Sequence, residues 1–287
     1  MNRLTREKQA QVIAALVEGN SVNSVVRMTG VTKVTILKLL TALGSACADF
    51  QDKVIRNLKC KRIQVDEVWQ FVYSKQKNVP QEKRGRFGYG DVWVWVGIDA
   101  DSKLIVSWTL GKRDAIAARI LIDDLKNRLA SRVQLTSDGL RVYIDAVEGA
   151  FGCEIDYAML VKTYESSQDE TRYSPAVCTS CERKPIMGNP DPKHISTSYI
   201  ERQNLSMRMS MRRFTRLTNG FSKKVENHAY AVALYTMHYN FARIHQTLRC
   251  TPAMEAGVSD HVWSLEEVAA LIPEPACGPR GPYKKKV

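Results

Sequence analysis

The sequence predicts an α/β chain: a mixed sheet with helices on its faces, preceded by a small all-helical segment. Three observations carry this. Apolar residues recur at helical spacing over the first 44 positions. The texture then changes to β-branched and aromatic runs. Beyond the β-rich runs, helical and strand-like segments alternate, the order expected of a sheet covered by helices.

The first helix runs through TREKQAQVIAALVEG, with Val12, Ile13, Leu16 and Val17 on one face, Thr5 as cap and Gly19 as stop. A second helix follows Ser21 and carries Val22, Val25 and Val26. Gly30 breaks the chain, and Thr32 caps a third helix with Ile36, Leu40 and Leu43 at helical spacing. A tight, Gly-containing turn between two helices is the mark of a helix-turn-helix. The alternative is a plain three-helix cap. Residues 45–60 read as a connecting helix.

KRIQVDEVWQFVYSK alternates around Val65, Val68 and Phe71 as a strand. KNVPQEKRGRFGYG is a polar loop, and DVWVWVGIDADSKLIVSWTLGKRD a hairpin joined at Asp99–Ser102. A helix over Ala115–Ala130, a short strand over Arg132–Thr136 ending at Ser137-Asp138-Gly139, and a helix with Val142, Ala146 and Val147 come next. This order matches a ribonuclease-H-like mixed sheet with flanking helices. Residues 152–197 look less regular and read as an insertion; helices dominate from Ser198 onward. The expected divisions are a helix-turn-helix at 1–46, a linker helix at 47–60, the ribonuclease-H-like core at 61–250 and a C-terminal helix with a basic tail at 251–287.

Composition narrows the partners. The 287 residues are 44% hydrophobic and 25% charged, with a formal net charge of +12. Such a field attracts polyanions, nucleic acid above all. The charge is clustered: Arg202 to Lys224 holds seven Lys or Arg and no acid, and Arg280 and Lys284–Lys286 form a second run. No run of eighteen apolar residues predicts a membrane span, and the N-terminus lacks a signal-peptide pattern, so a cytoplasmic protein is expected. The seven cysteines are scattered and odd in number, which argues against a disulfide framework. Cys178 and Cys181 supply two of the four ligands that structural Zn²⁺ normally takes. Cys153 and His194 sit at no recognisable spacing to complete the set, so the sequence argues against zinc there without removing it as an alternative.

Three acids fall where the predicted architecture converges. Asp66 lies in the first strand, Asp138 at the carboxyl end of a later strand, and Glu201 at the start of a helix. Carboxylates suit Mg²⁺, a hard ion, with Mn²⁺ as a substitute. Two such ions clamp both oxygens of an in-line phosphoryl displacement. Each acid has a plainer reading: a strand-end surface acid, a turn residue beside Gly139, and a Ser198-x-x-Glu201 capping box. Glu201, Asn204 and Arg208, spaced i, i+3, i+7, share one helix face, which would present Glu201 to metal and the other two to DNA. Val34, Thr35 and Lys38 point away from the third helix's core face, with Lys33 at its edge, and all four are expected to enter a major groove. Arg212, Arg213 and Arg216 are expected to track the phosphate backbone. His245 is more readily a buried or DNA-contacting histidine than a base.

The sequence resembles the bacterial insertion-sequence transposases of the DDE class, most nearly the insertion-sequence-one family in its longer single-frame branch. The carriers are QVDEVW around Asp66, LTSDG around Asp138, HISTSYIERQNLSMRMSMRRFTRLTNGFSKK around Glu201, and YNFARIHQTLRCTPAMEAG. Asp138 and Glu201 are 63 residues apart, more than in the compact form of this core, and Arg208 stands where Lys is commoner. The resemblance implies a transposase that binds the inverted repeats of its element, frees a 3′-hydroxyl by metal-assisted hydrolysis and joins it to target DNA. It also implies a dimer or larger assembly. The rivals are a non-catalytic DNA-binding regulator and a metal-dependent nuclease.

Overall fold

A computed structural model describes residues 4–165, 177–215 and 219–273. Three helices open the chain: α1 (Arg6–Val17), α2 (Val22–Thr29) and α3 (Lys33–Val54). Each starts at a hydroxyl cap, Thr5, Ser21 and Thr32. Gly30 takes a left-handed conformation, φ 70°, which ends α2 at little steric cost. α2 and α3 meet at 112°, within the range of helix-turn-helix pairs.

α3 runs unbroken for 22 residues, through the expected boundary at 46/47. Gly44 sits where α3 crosses α7 (Val225–Met237). A Cβ there would fall 2.4–2.7 Å from Tyr230 atoms. The glycine is required by close helix approach, not by a turn. One apolar cluster runs from Val12 and Leu43 through Ala233 and Leu234 to Leu121 and Tyr157, so the N-terminal helices share the core's interior. α8 (Pro252–Glu255) follows, and α9 (Leu265–Ala270) packs back toward α1, with the Arg6 guanidinium donating to the Ala269 carbonyl. The basic tail lies outside the described residues. No single helix among those described is long and apolar enough to cross a membrane.

The sheet comprises β1 (Arg62–Val72), β2 (Gly90–Asp99), β3 (Ile105–Gly111), β4 (Gln134–Ser137), β5 (Asp156–Glu165) and β6 (Val177–Met187), in the order β3-β2-β1-β4-β5-β6. β1, β2 and β3 are antiparallel, β4 and β5 run parallel to β1, and β6 returns antiparallel. This is a ribonuclease-H-like α/β fold with one added edge strand. α4 (Ala115–Arg128) and α5 (Val142–Phe151) cover one face, where Trp95, Leu121 and Tyr143 are buried. α6 (Ser198–Ser210) and α7 cover the other over Val68, Val94 and Val96.

The reading of 152–197 as an insertion is corrected here. β5 is a core strand and β6 its hairpin partner. Tyr157, Ala158, Met159 and Leu160 are all buried, so β5 lacks the alternation that marks a half-exposed strand. A doubly covered parallel strand looks patternless for that reason.

A candidate active-site cleft

Two aspartates meet through strand register. Arg62 pairs with Gln134 and Gln64 with Thr136. Continuing that parallel register puts Asp66 beside Asp138, the residue that follows β4. Asp138 Oδ1 accepts from the Leu140 amide at 3.0 Å, which fixes the turn into α5.

Glu201 arrives from the other face. Gln64, two residues before Asp66, is buried, and its Oε1 accepts the Tyr199 and Ile200 amides, each at 3.0 Å. These are among the orphan donors at the start of α6. A strand residue therefore anchors this helix end, and no capping box forms. Ser198 Oγ accepts from Ser196 Oγ, and Thr197 Oγ1 donates to Glu201 Oε1 at 2.6 Å. Lys162 on β5 forms an ion pair with the same carboxylate. One turn on, Asn204 Nδ2 donates to Asp66 Oδ2 at 2.7 Å, and Asn204 is only 3% exposed. Asn204 thus faces the aspartate rather than outward to DNA.

Asp66, Asp138, Glu201, Asn204 and Arg208 all line one cleft of about 750 Å³, with Arg113 and Lys162 on its walls. His245 does not line it. Carboxyl oxygens of Asp66, Glu67 and Asp138 lie within 4.8 Å of one another. Glu67 is buried, and its carboxyl lies beside the buried Tyr143 hydroxyl. Arg113 Nε donates to Glu67 Oε2 at 3.2 Å, and Arg113 Nη2 is 3.9 Å from Asp138 Oδ2. The same guanidinium lies 4.9 Å from the centre of the Trp93 ring. Burial lifts the Asp66 carboxyl to about 6, and the charges of Asp138 and Glu201 add to it against backbone and Asn204 hydrogen bonds. Burial likewise lifts Glu67 to about 7, with Asp138 and Asp66 adding and Tyr143 and Arg113 opposing. Three crowded, largely desolvated carboxylates fit a hard divalent cation, which would favour their charged form.

The other candidates are distributed elsewhere. Lys33, Val34 and Lys38 are exposed on α3, Val34 at 63%, while the Thr35 hydroxyl shares a 2.9 Å hydrogen bond with the cap residue Thr32. Lys33 and Arg212 line one groove between the N-terminal helices and the segment after α6. Arg213 turns inward: Nη1 donates to Ser222 Oγ at 2.7 Å, and Ser222 Oγ lies 3.1 Å from His228 Nδ1. A guanidinium used this way supports the fold, and Arg213 also lines the groove with Lys33 and Arg212. Arg216 lies outside the described residues. Cys178 and Cys181 are exposed on β6, and neither Cys153 nor His194 joins them; His194 Nδ1 lies 2.6 Å from Arg62 Nη1 at the opposite end of the sheet.

His228 supplies a pH prediction. Burial holds it well below its ordinary range, at about 3, with the Arg213 charge adding. A histidine with a depressed folded pKa contributes stability that is fully present above its unfolded value near 6.5 and is lost as pH falls toward the folded value. Between pH 7 and pH 4 this group should account for roughly 3 kcal/mol of lost stability. Urea unfolding at stepped pH checks this. His228→Gln should flatten the acid limb, and an unchanged slope would remove the histidine from it.

Sequence reasoning passed over Gln64, Glu67, Arg113 and Lys162. The signal for the first two was present: a Gln and a Glu inside the otherwise apolar strand Arg62–Val72. Polar residues at buried strand positions need partners. The signal for Arg113 and Lys162 was not, because their partners come from other elements.

Fold and cleft together define a ribonuclease-H-like chain with a carboxylate-lined cleft beside the middle of β1 and the carboxyl end of β4. No family model matches the chain, and no curated protein matches its sequence. Among solved structures, the alignment to "Mos1 transposase paired-end complex with left transposon end" is 14% identical. It covers 53% of this chain and 57% of that one, with a TM-score of 0.22. "Crystal structure of the Mos1 mariner paired end complex with Mn" aligns at 12% identity over 53% of this chain and 58% of that one, with a TM-score of 0.21. The aligned part thus spans under two thirds of those chains, and the fold assignment rests on the sheet order given above.

Proposed function

We propose that this chain is a DNA transposase of the DDE class that binds the ends of its element and joins a freed 3′-hydroxyl to target DNA. One observation carries the reading. Asp66, Asp138 and Glu201, far apart in sequence, line a single cleft in a strongly basic chain. Asp66, Asp138 and Glu67 would hold divalent cations, Mg²⁺ or Mn²⁺, which supply charge neutralisation at phosphate and activation of water. Glu201, held by Thr197 and Lys162 at the cleft wall, would complete the set once phosphate takes the Lys162 charge. Asn204 keeps the Asp66 carboxylate oriented, and Arg113 sets Glu67 and Asp138 relative to each other. Catalysis is then positioning and charge neutralisation, as in phosphoryl transfer generally.

Double-stranded DNA is the partner, and the two element ends require at least a dimer. α3 would present Lys33, Val34, Thr35 and Lys38 to the major groove. Incubating pre-cleaved element ends with plasmid tests the reading. A transposase joins them, whereas a nuclease only cuts and a regulator does neither.

The groove shared by Lys33 and Arg212 gives a second check. Arg212→Ala should lower the slope of log affinity against log salt by about 0.9, the value of one duplex phosphate contact. Arg213→Ala should leave the slope unchanged and lower the melting temperature instead, since its partner is Ser222. Equal slope changes in both variants would return Arg213 to the DNA path.

A further inference from the structure

Cys178 and Cys181 take no part in the proposed reaction. On a regular strand, residues three apart point to opposite faces. Here the register breaks. Tyr164 pairs with Cys178 and Thr163 with Ser180, which leaves Thr179 as an extra residue in β6. That bulge returns both cysteines to one face, and their Sγ atoms lie 3.6 Å apart. Both residues are exposed free thiols. Their cross-strand partners, Lys162 for Cys181 and Tyr164 for Cys178, both line the cleft, so the dithiol stands at its rim.

We propose that Cys178 and Cys181 bind a thiophilic divalent cation of the zinc class, separate from the hard-ion carboxylate set. Sulfur donors select soft and borderline ions over Mg²⁺. Two thiolates on a tetrahedral zinc, each at about 2.3 Å, stand roughly 3.8 Å apart, close to the spacing already in place. A disulfide needs about 2.05 Å, well short of the present separation. Solvent reaches the remaining coordination positions, because both side chains are exposed. Lys162, which pairs with Glu201, lies across the strands from Cys181 and adds positive charge near the thiolates. The bulge is the device that builds the pair: were Thr179 paired regularly instead of bulged, Cys181 would face away from Cys178. This site does not rest on the transposase reading.

The test uses the reduced full-length chain with excess Mg²⁺ present. Cd²⁺ is titrated while thiolate-to-metal charge-transfer absorbance is followed, a signal that carboxylate-bound Cd²⁺ does not give. One Cd²⁺ per chain is expected, displaceable by Zn²⁺ and not by Mg²⁺. Cys178→Ser and Cys181→Ser should each lose the band at equimolar Cd²⁺, whereas Cys153→Ser, at another exposed thiol, should keep it. Matching melting temperatures show that the variants fold. No band in the wild type overturns the proposal. So does a band that survives the double Cys178→Ser/Cys181→Ser change, or one lost equally in Cys153→Ser.

Discussion

Asp138→Cys is expected to abolish Mg²⁺-dependent strand joining, by about 10³-fold or more, the scale on which catalytic units fail when one member is removed. Joining should recover in part when Mn²⁺ replaces Mg²⁺. The substitution exchanges a hard oxygen for a soft sulfur at the position that register places beside Asp66, and Mn²⁺ tolerates that donor better than Mg²⁺ does. A smaller structural effect accompanies it. The Leu140 amide loses its 3.0 Å acceptor, worth about 1 kcal/mol. A melting curve and a DNA-binding isotherm therefore accompany the joining assay, and DNA binding should be unchanged. Asp145→Cys is the control. Asp145 is exposed on α5 and does not line the cleft, so Mg²⁺-dependent joining should persist. If the metal switch appears at Asp145 instead, Asp138 is misassigned. If neither residue matters for joining, the carboxylate cleft is not where the chemistry occurs.

Gln64→Leu should have the second largest effect, and it acts through position rather than contact with substrate. The leucine fills the space but accepts no hydrogen bond. The Tyr199 and Ile200 amides at the start of α6 lose their shared acceptor, and the Ile200 site is buried. An unmet buried donor costs about 1–3 kcal/mol, so the pair should lower stability by about 2–3 kcal/mol. At roughly 2–4 °C per kcal/mol for a chain of this size class, the melting temperature should drop measurably. Release of this helix end also lets Glu201 and Asn204 shift relative to Asp66. A misplacement near 1 Å can cost about 10²-fold in rate. Mn²⁺ affinity, measured by calorimetry, should weaken in parallel, which loss of stability alone would not produce in the folded fraction. Gln64→Glu keeps the acceptor oxygen at a helix N-terminus, where negative charge is favoured, and should restore the melting temperature. Wild-type melting, metal affinity and joining in Gln64→Leu would refute the anchoring role.

Much of the fold was legible in the sequence, for local reasons. Thr5, Ser21 and Thr32 cap the helices expected from them, because a hydroxyl accepts a nearby amide whatever the rest of the chain does. The β2–β3 hairpin and α4 also follow from local periodicity and capping. Two elements were not legible. A division was expected at 46/47, but α3 runs on to Val54, with Gly44 packed against Tyr230, 186 residues later in the chain. β5 reads as irregular because both of its faces are covered, which erases the period of two.

The same division runs through the cleft. The sequence by itself determined which acids were available, Asp66, Asp138 and Glu201, and that they belong to a basic chain opening with a helix-turn-helix pattern. Only the tertiary structure decided how they are held. Parallel pairing of β1 with β4 sets the aspartates side by side, and Gln64 ties α6 to β1. Asn204 is turned inward to Asp66, and Arg213 donates to Ser222. The physical reason is that capping and periodicity act over a few residues, whereas register, burial and charge pairing depend on partners brought from distant parts of the chain. A side chain's type is written in the sequence; whether it meets a carboxylate, a helix end or solvent is settled by what packs against it.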